Sequence, residues 1–152
     1  MAVGIKTYLI DLRAKMVKDP LPPEDVAAGW ALGMFIGCSV PFGLQLIVSV
    51  PLAIMMRVSK IGATIGTLIT NPLTIFCIYP AQTWVMYNIL FGSREMGELP
   101  TEWTRESVMA LSGPVIISFF LGGLALALIL SPITYFVVKR IVTRYRQLRR
   151  RE

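Results

Sequence analysis

At 152 residues the chain has room for one domain. It is 55% hydrophobic and only 16% charged, with a mean hydropathy of +0.64, which excludes an ordinary water-soluble composition. The net charge of +6 gathers at the two ends, histidine is absent, and no carboxylate stands between Asp25 and Glu95. A metal centre of the usual ligands, a Ser-His or Cys-His nucleophile and a carboxylate proton relay therefore have no residues to use in the apolar region, and neither an enzyme nor a cofactor is expected.

Residues 3–18 place Ile5, Leu9, Leu12 and Met16 on one helical face, with Lys6, Arg13 and Lys18 elsewhere. This predicts a short amphipathic helix, lying on the inner membrane surface or docking on the protein itself. The charged residues and the lack of a cleavage-type site argue against a signal peptide. A Pro-rich linker with Pro20, Pro22 and Pro23 completes this first unit, residues 1–23, and Glu24 and Asp25 read as the first turn of the next helix.

The membrane domain is expected over 24–138. From Val26 to Phe91 the only charged residues are Arg57 and Lys60. Gly29, Gly33 and Gly37 recur at i, i+4 on one helical face, where bare backbone lets another helix or a ligand come close, and Pro41 then stops that helix. The two arms, 26–40 and 42–56, each reach about 22 Å, short of a hydrocarbon core of about 30 Å. Both flanks are basic, which sets both ends on the cytoplasmic side. A re-entrant helical hairpin over 26–56, turning at residues 39–43, meets both constraints.

Residues 61–91 are again apolar and again interrupted, at Asn71-Pro72, with Gly62 and Gly66 repeating the glycine spacing before the break. Gly33-x2-Ile36 before Pro41 is faintly echoed by Gly66-x2-Ile69 before Pro72, as in transporters with repeated, interrupted helices. The segment 92–106 is acidic overall, and 107–138 forms one long apolar helix containing Pro114 and Pro132. The tail 139–152 carries Lys139, Arg140, Arg144, Arg146, Arg149, Arg150 and Arg151. Directly after an apolar helix, such a tail is a cytoplasmic anchor on anionic lipid rather than a nucleic-acid arm. The expected fold is all-α and integral to the membrane, with both termini cytoplasmic: interfacial helix, re-entrant hairpin, one broken and one continuous transmembrane helix. Four short crossings would keep the same end orientations.

Polar side chains inside the apolar region are few: Ser39, Gln45, Ser49, Thr64, Thr67, Thr70, Asn71, Thr74, Gln82 and Asn88. Backbone groups freed at the two breaks need partners, and each left unsatisfied in lipid costs several kcal/mol. Asn71 can cap the helix begun by Pro72, and Gln45 can bond carbonyls exposed at the hairpin tip. The functional reading uses the same atoms: Pro41, Gly43, Gln45, Asn71, Pro72 and Thr74 are the candidate binding or pore residues. Gly29, Gly33, Gly37, Gly62 and Gly66 are the candidate packing positions, and Arg57 and Lys60 would attract an anionic head group or simply set topology. Cys38 and Cys77 both sit in apolar runs and are expected as buried thiols.

The segments AAGWALGMFIGCSVPFGLQ (27–45), Leu52-Ala53 and GTLITNPLT (66–74) resemble a bacterial membrane family known as domain of unknown function 2062. Its pattern is a glycine-rich helix, a Pro-x-Gly-x-Gln turn and an Asn-Pro-x-Thr break. Here those positions are Gly29, Gly33, Phe35, Gly37, Pro41, Gly43, Gln45, Asn71, Pro72 and Thr74, and the match covers about residues 20–140. The family usually carries asparagine where this chain has Ser59, so a ligand contact made there would differ. The resemblance implies a multi-pass inner-membrane protein and no particular activity. The expectations are a small transporter or lipid or anion flippase acting as a homo-oligomer, a channel of the same architecture, or a scaffold whose glycine faces dock other helices. Membrane lipids are the expected partners, and nucleic acid is not.

Overall fold

A computed structural model of the chain describes residues 19–68, 72–92 and 105–149. The amphipathic helix expected over 3–18, the acidic loop and Asn71 lie outside them. The described residues form five helices and no strand: α1 Pro23–Ser39, α2 Gln45–Met55, α3 Lys60–Thr67, α4 Pro72–Phe91 and α5 Arg105–Arg149.

Each boundary has a local cause. Proline opens α1, with Glu24 and Asp25 in the first turn favouring the positive end of the helix dipole. The helix stops because Val40 precedes Pro41 and is pushed into the extended region, φ −107° and ψ 135°. At the far end of α2, Arg57 takes the left-handed conformation, φ 57°. Its amide donates to the Ile54 carbonyl and that of Val58 to Ala53, the paired bonds of a Schellman cap with arginine where glycine is usual. Ser59 then caps α3, its Oγ accepting from the Gly62 amide at 2.8 Å. Gly92, φ 74°, ends α4.

α2 runs back beside α1, since Gln45 meets Gly37 while Ala53 packs with Ala28 and Leu32. α1 is the central element, held between α3 on one side and α5 on the other. Against α5 it sets Val26, Ala27 and Trp30 near Val138 and Val142, and Met34 and Cys38 near Ala127. Ser131 Oγ donates across this interface to the Ala31 carbonyl at 3.0 Å. The α1–α3 contact is closer still. A Cβ at Gly33 would stand 2.2 Å from the Ala63 carbonyl oxygen, and one at Gly66 would stand 2.6 Å from that of Trp30. Gly29 and Gly62 are equally closed, against Ser59 and Trp30. These four glycines hold two helix backbones in direct contact, while Gly37 presents its carbonyl to Gln45.

Small polar side chains share the interior with the apolar core, and the outside is strongly apolar. Ser49, Ser59, Thr67 and Ser118 are fully buried, whereas Ile47, Met55, Phe76, Ile89, Leu128 and Phe136 are among the many large apolar side chains left outside. Cys38 is buried as expected, but Cys77 is exposed, because it falls on the outward face of α4. Among the described residues one helical stretch, Gly113–Leu148 of α5, is long and apolar enough to cross a membrane. α5 also continues without a break through the basic tail to Arg149, because no glycine or proline stands between Lys139 and Arg149 and the β-branched run Ile141-Val142-Thr143 costs only a little helix propensity. Lys139 on this extension meets Glu24 at 3.2 Å. The Glu24 carboxyl is held below its ordinary range by a hydrogen bond to its own backbone and by Lys139, whose ammonium is raised in turn by Glu24.

The glycine contact makes a graded prediction. Gly33→Ala should lower stability by about 1–3 kcal/mol through overpacking against backbone that cannot yield. Gly113→Ala, with open space around it, should raise stability by up to about 1 kcal/mol through helix propensity. Thermal unfolding of the two purified variants beside wild type checks both signs.

Candidate functional site

Where α1 ends, its last carbonyls have no intrahelical donor, and the apolar surroundings supply none. Gln45, the first residue of α2, is folded inward and is only 4% exposed. Its Nε2 lies 2.9 Å from the Gly37 carbonyl and 3.0 Å from that of Val40, so it donates to the exposed end of α1. Nε2 also lies 3.0 Å from Tyr79 Oη, which itself donates to the Val40 carbonyl at 3.2 Å. One amide and one phenol thus close the break and tie α4 to the hairpin tip. The turn between them needs Pro41, whose carbonyl accepts from the Leu44 amide, and Gly43, φ 97° with open space around it.

Tyr79 stands edge-on to Phe119 of α5, ring centroids 5.0 Å apart. One turn further along α4, Gln82 packs where α4 crosses α5. A Cβ at Gly122 would stand 2.5 Å from the Gln82 carbonyl oxygen, and one at Gly123 would stand 3.1 Å from Gln82 Nε2 and 2.5 Å from the Cys38 carbonyl oxygen. Two glycines therefore keep α5 backbone pressed between Gln82 and the end of α1. Gln82 is 7% exposed, and neither its Nε2 nor its Oε1 has a hydrogen-bond partner. The buried hydroxyls of Ser39, Ser49 and Ser118 are likewise unpartnered. An open apolar groove lined by Tyr79, Pro80, Ala81, Thr83, Trp84 and Phe119 flanks this region.

The opposite end of the hairpin is charged. Ser59 Oγ donates to Asp19 Oδ2, and the Ser59 amide donates to the Asp25 carbonyl at 3.1 Å. Asp19 is buried, accepts from the Leu21 amide through Oδ1, and receives the Arg146 guanidinium on its backbone carbonyl. Arg57 and Lys60 are exposed beside this cluster. Ser59 is thus a buried helix cap, and its hydroxyl is committed to Asp19 and Gly62.

Of the candidate binding residues, Pro41, Gly43 and Gln45 lie together at the tip. Pro72 and Thr74 lie in the first turn of α4, and Asn71 is outside the described residues. Tyr79, Ser118 and Asp19 were missed by sequence reasoning, and Gln82 was noted only as one polar residue among ten. Tyr79 gave no signal because a tyrosine in an apolar run reads as interfacial or core. A better clue was the Gly122-Gly123 pair, a small-residue site on the long helix that must face something close.

Two substitutions separate the bonded amide from the unbonded one. Gln45→Leu should cost about 1–3 kcal/mol, since the Gly37 carbonyl stays buried without its donor. Gln82→Leu should raise stability by about 1–2 kcal/mol, since it removes a desolvated amide that nothing satisfies. Midpoints of thermal unfolding, opposite in direction, are the readout.

The family model described as an uncharacterized protein conserved in bacteria (DUF2062) aligns with residues 7–151. No curated protein matches the chain. No solved structure does either.

Proposed function

The chain belongs to that bacterial family, and from its helix breaks we propose that it is a multi-pass protein of the inner membrane that moves a polar solute or a lipid head group across the bilayer. The observation that carries this reading is the Gln82 amide, buried and unpartnered beside a closed helix break. Non-helical backbone at membrane depth is tolerated where it is buried in protein or lines a polar path, and unpaired polar groups there mark such a path.

Three features support the membrane placement. Large apolar side chains cover the outside of α2, α4 and α5. The hairpin helices of 17 and 11 residues reach only about 26 Å and 16 Å, against a hydrocarbon core of about 30 Å, so the hairpin enters and leaves by one face. Arg57, Lys60, Lys139 and Arg146 gather at the end opposite the tip, which supports a cytoplasmic position for that end. α3 and α4 then make the broken crossing and α5 the continuous one, with both termini inside. The basic end of α5 rests on anionic lipid, Arg57 and Lys60 draw polar or anionic groups to the mouth, and a homo-oligomer encloses the path that so few helices cannot.

Topology and transport are tested separately. In a background with Cys38→Ala and Cys77→Ala, Lys60→Cys should react with an impermeant maleimide only from the cytoplasmic face; reaction only from the periplasmic face removes the re-entrant hairpin. Purified protein in vesicles should move at least one of four probes faster than empty vesicles: glycerol, chloride, an acyl-labelled glucosyl diacylglycerol and an acyl-labelled phosphatidic acid. Gln45→Leu should lose that movement at least tenfold. If wild type moves none of the four, transport is the wrong reading, and a scaffold held together through the glycine faces takes its place.

A further inference from the structure

We propose that the group recognised at Gln82 is uncharged and hydroxyl-bearing, a polyol or sugar moiety that is either free or the head of a neutral lipid, and is not an ion. This rests on the transport reading above and narrows its substrate class.

The first argument is the state of the amide. The buried side chains of Gln45 and Ser59 find partners, Gln45 on two carbonyls and Ser59 on Asp19 and Gly62, whereas the Ser39, Ser49 and Ser118 hydroxyls and the Gln82 amide do not. Gln82 finds none for either end of its amide, although it is 7% exposed. An amide offers both donor and acceptor, so its complement is a group that can accept and donate at once. A hydroxyl does both, whereas a simple ion does only one.

The second argument is what surrounds it. Nε2 and the Cys38 carbonyl both pack against α5 at Gly123, where a Cβ would stand 3.1 Å and 2.5 Å from them. Cys38 lies in the last turn of α1, where position i+3 is proline and the chain has left the helix by i+4, so its carbonyl is one of those the break sets free. Ser118 lies one helical turn before Gly122 on the same face of α5, and Ser39 follows Cys38; both hydroxyls are buried and unpartnered. The polar groups on these neighbouring turns thus include donors and acceptors, and all of them are neutral.

The third argument is charge. No ionisable carboxylate, lysine or arginine occurs in 26–56, in 61–93 or in 107–138, the segments that build the tip, α4 and the apolar length of α5. An ion of either sign would lose its hydration and gain no counter-charge, which a site at this depth cannot offset. A hydroxyl group instead exchanges its bonds to water for bonds to the Gln82 amide, which can both donate and accept. The apolar groove lined by Tyr79, Trp84 and Phe119 lies on the same stretch of α4 as Gln82 and gives a lipid tail an apolar surface to rest on.

The four-probe vesicle assay decides the matter. Glycerol or the glucosyl lipid should move at least tenfold faster, relative to empty vesicles, than chloride or phosphatidic acid, and which of the two neutral probes moves distinguishes a free solute from a head group. Gln82→Leu should abolish the neutral movement while its thermal midpoint rises, a combination that a merely structural glutamine would not give. Preference for either charged probe overturns the inference and leaves transport standing, as does full neutral flux in Gln82→Leu. Absence of movement of all four by wild type overturns both.

Discussion

A helix that ends inside apolar surroundings must dispose of its last carbonyls, and the architecture of this protein follows from how that is done. Pro41 forces Val40 out of the helical region and frees the end of α1. The Gln45 amide then reaches back to Gly37 and Val40, and the Tyr79 hydroxyl completes the closure. Because one partner begins α2 and the other sits on α4, satisfying the break also fixes the direction of the hairpin and brings α4 against it. The local chemical demand thereby sets the tertiary arrangement around the tip.

The second constraint is distance. Gly29, Gly33, Gly62 and Gly66 let α1 and α3 meet backbone to backbone, and Gly122 and Gly123 do the same where α5 passes Gln82 and Cys38. Contacts this close gain dispersion energy and bury polar backbone without needing large apolar side chains inside. The large apolar residues are accordingly free to face outward, which is the arrangement a bilayer rewards and water does not. Both ends of the hairpin are held by polar side chains, but in different ways. The tip uses neutral groups only, and the opposite end uses Asp19, Ser59 and Arg146.

This division bears on the proposed function. On that proposal, charge at one end collects polar or anionic groups from solution and orients the protein, while the neutral tip would discriminate by hydrogen bonding against desolvation. Gln82 stands apart from both, as a buried amide whose capacity the fold leaves unused. Proteins keep such a group at a cost in stability, and sites of binding are where that cost is commonly met.

The amino-acid sequence by itself determined the all-helical class, the break at Pro41, the interruption before Pro72, the glycine spacing and the family, because each depends on local sterics or on spacing along one chain. It also pointed to Gln45 as a donor to the tip carbonyls, since a glutamine one turn past a proline break has few other uses in an apolar run. Tertiary structure decided the rest. Which glycine meets which carbonyl, that Tyr79 shares Val40 with Gln45, that Ser59 is committed to Asp19, and that Gln82 lies against Gly123 and the Cys38 carbonyl are contacts between distant positions. Cys77 shows the same limit from the other side: its apolar neighbours suggested burial, and only the facing of α4 against α5 turned it outward. Periodicity names the residues on a face; the identity of what lies opposite depends on how all five helices pack at once.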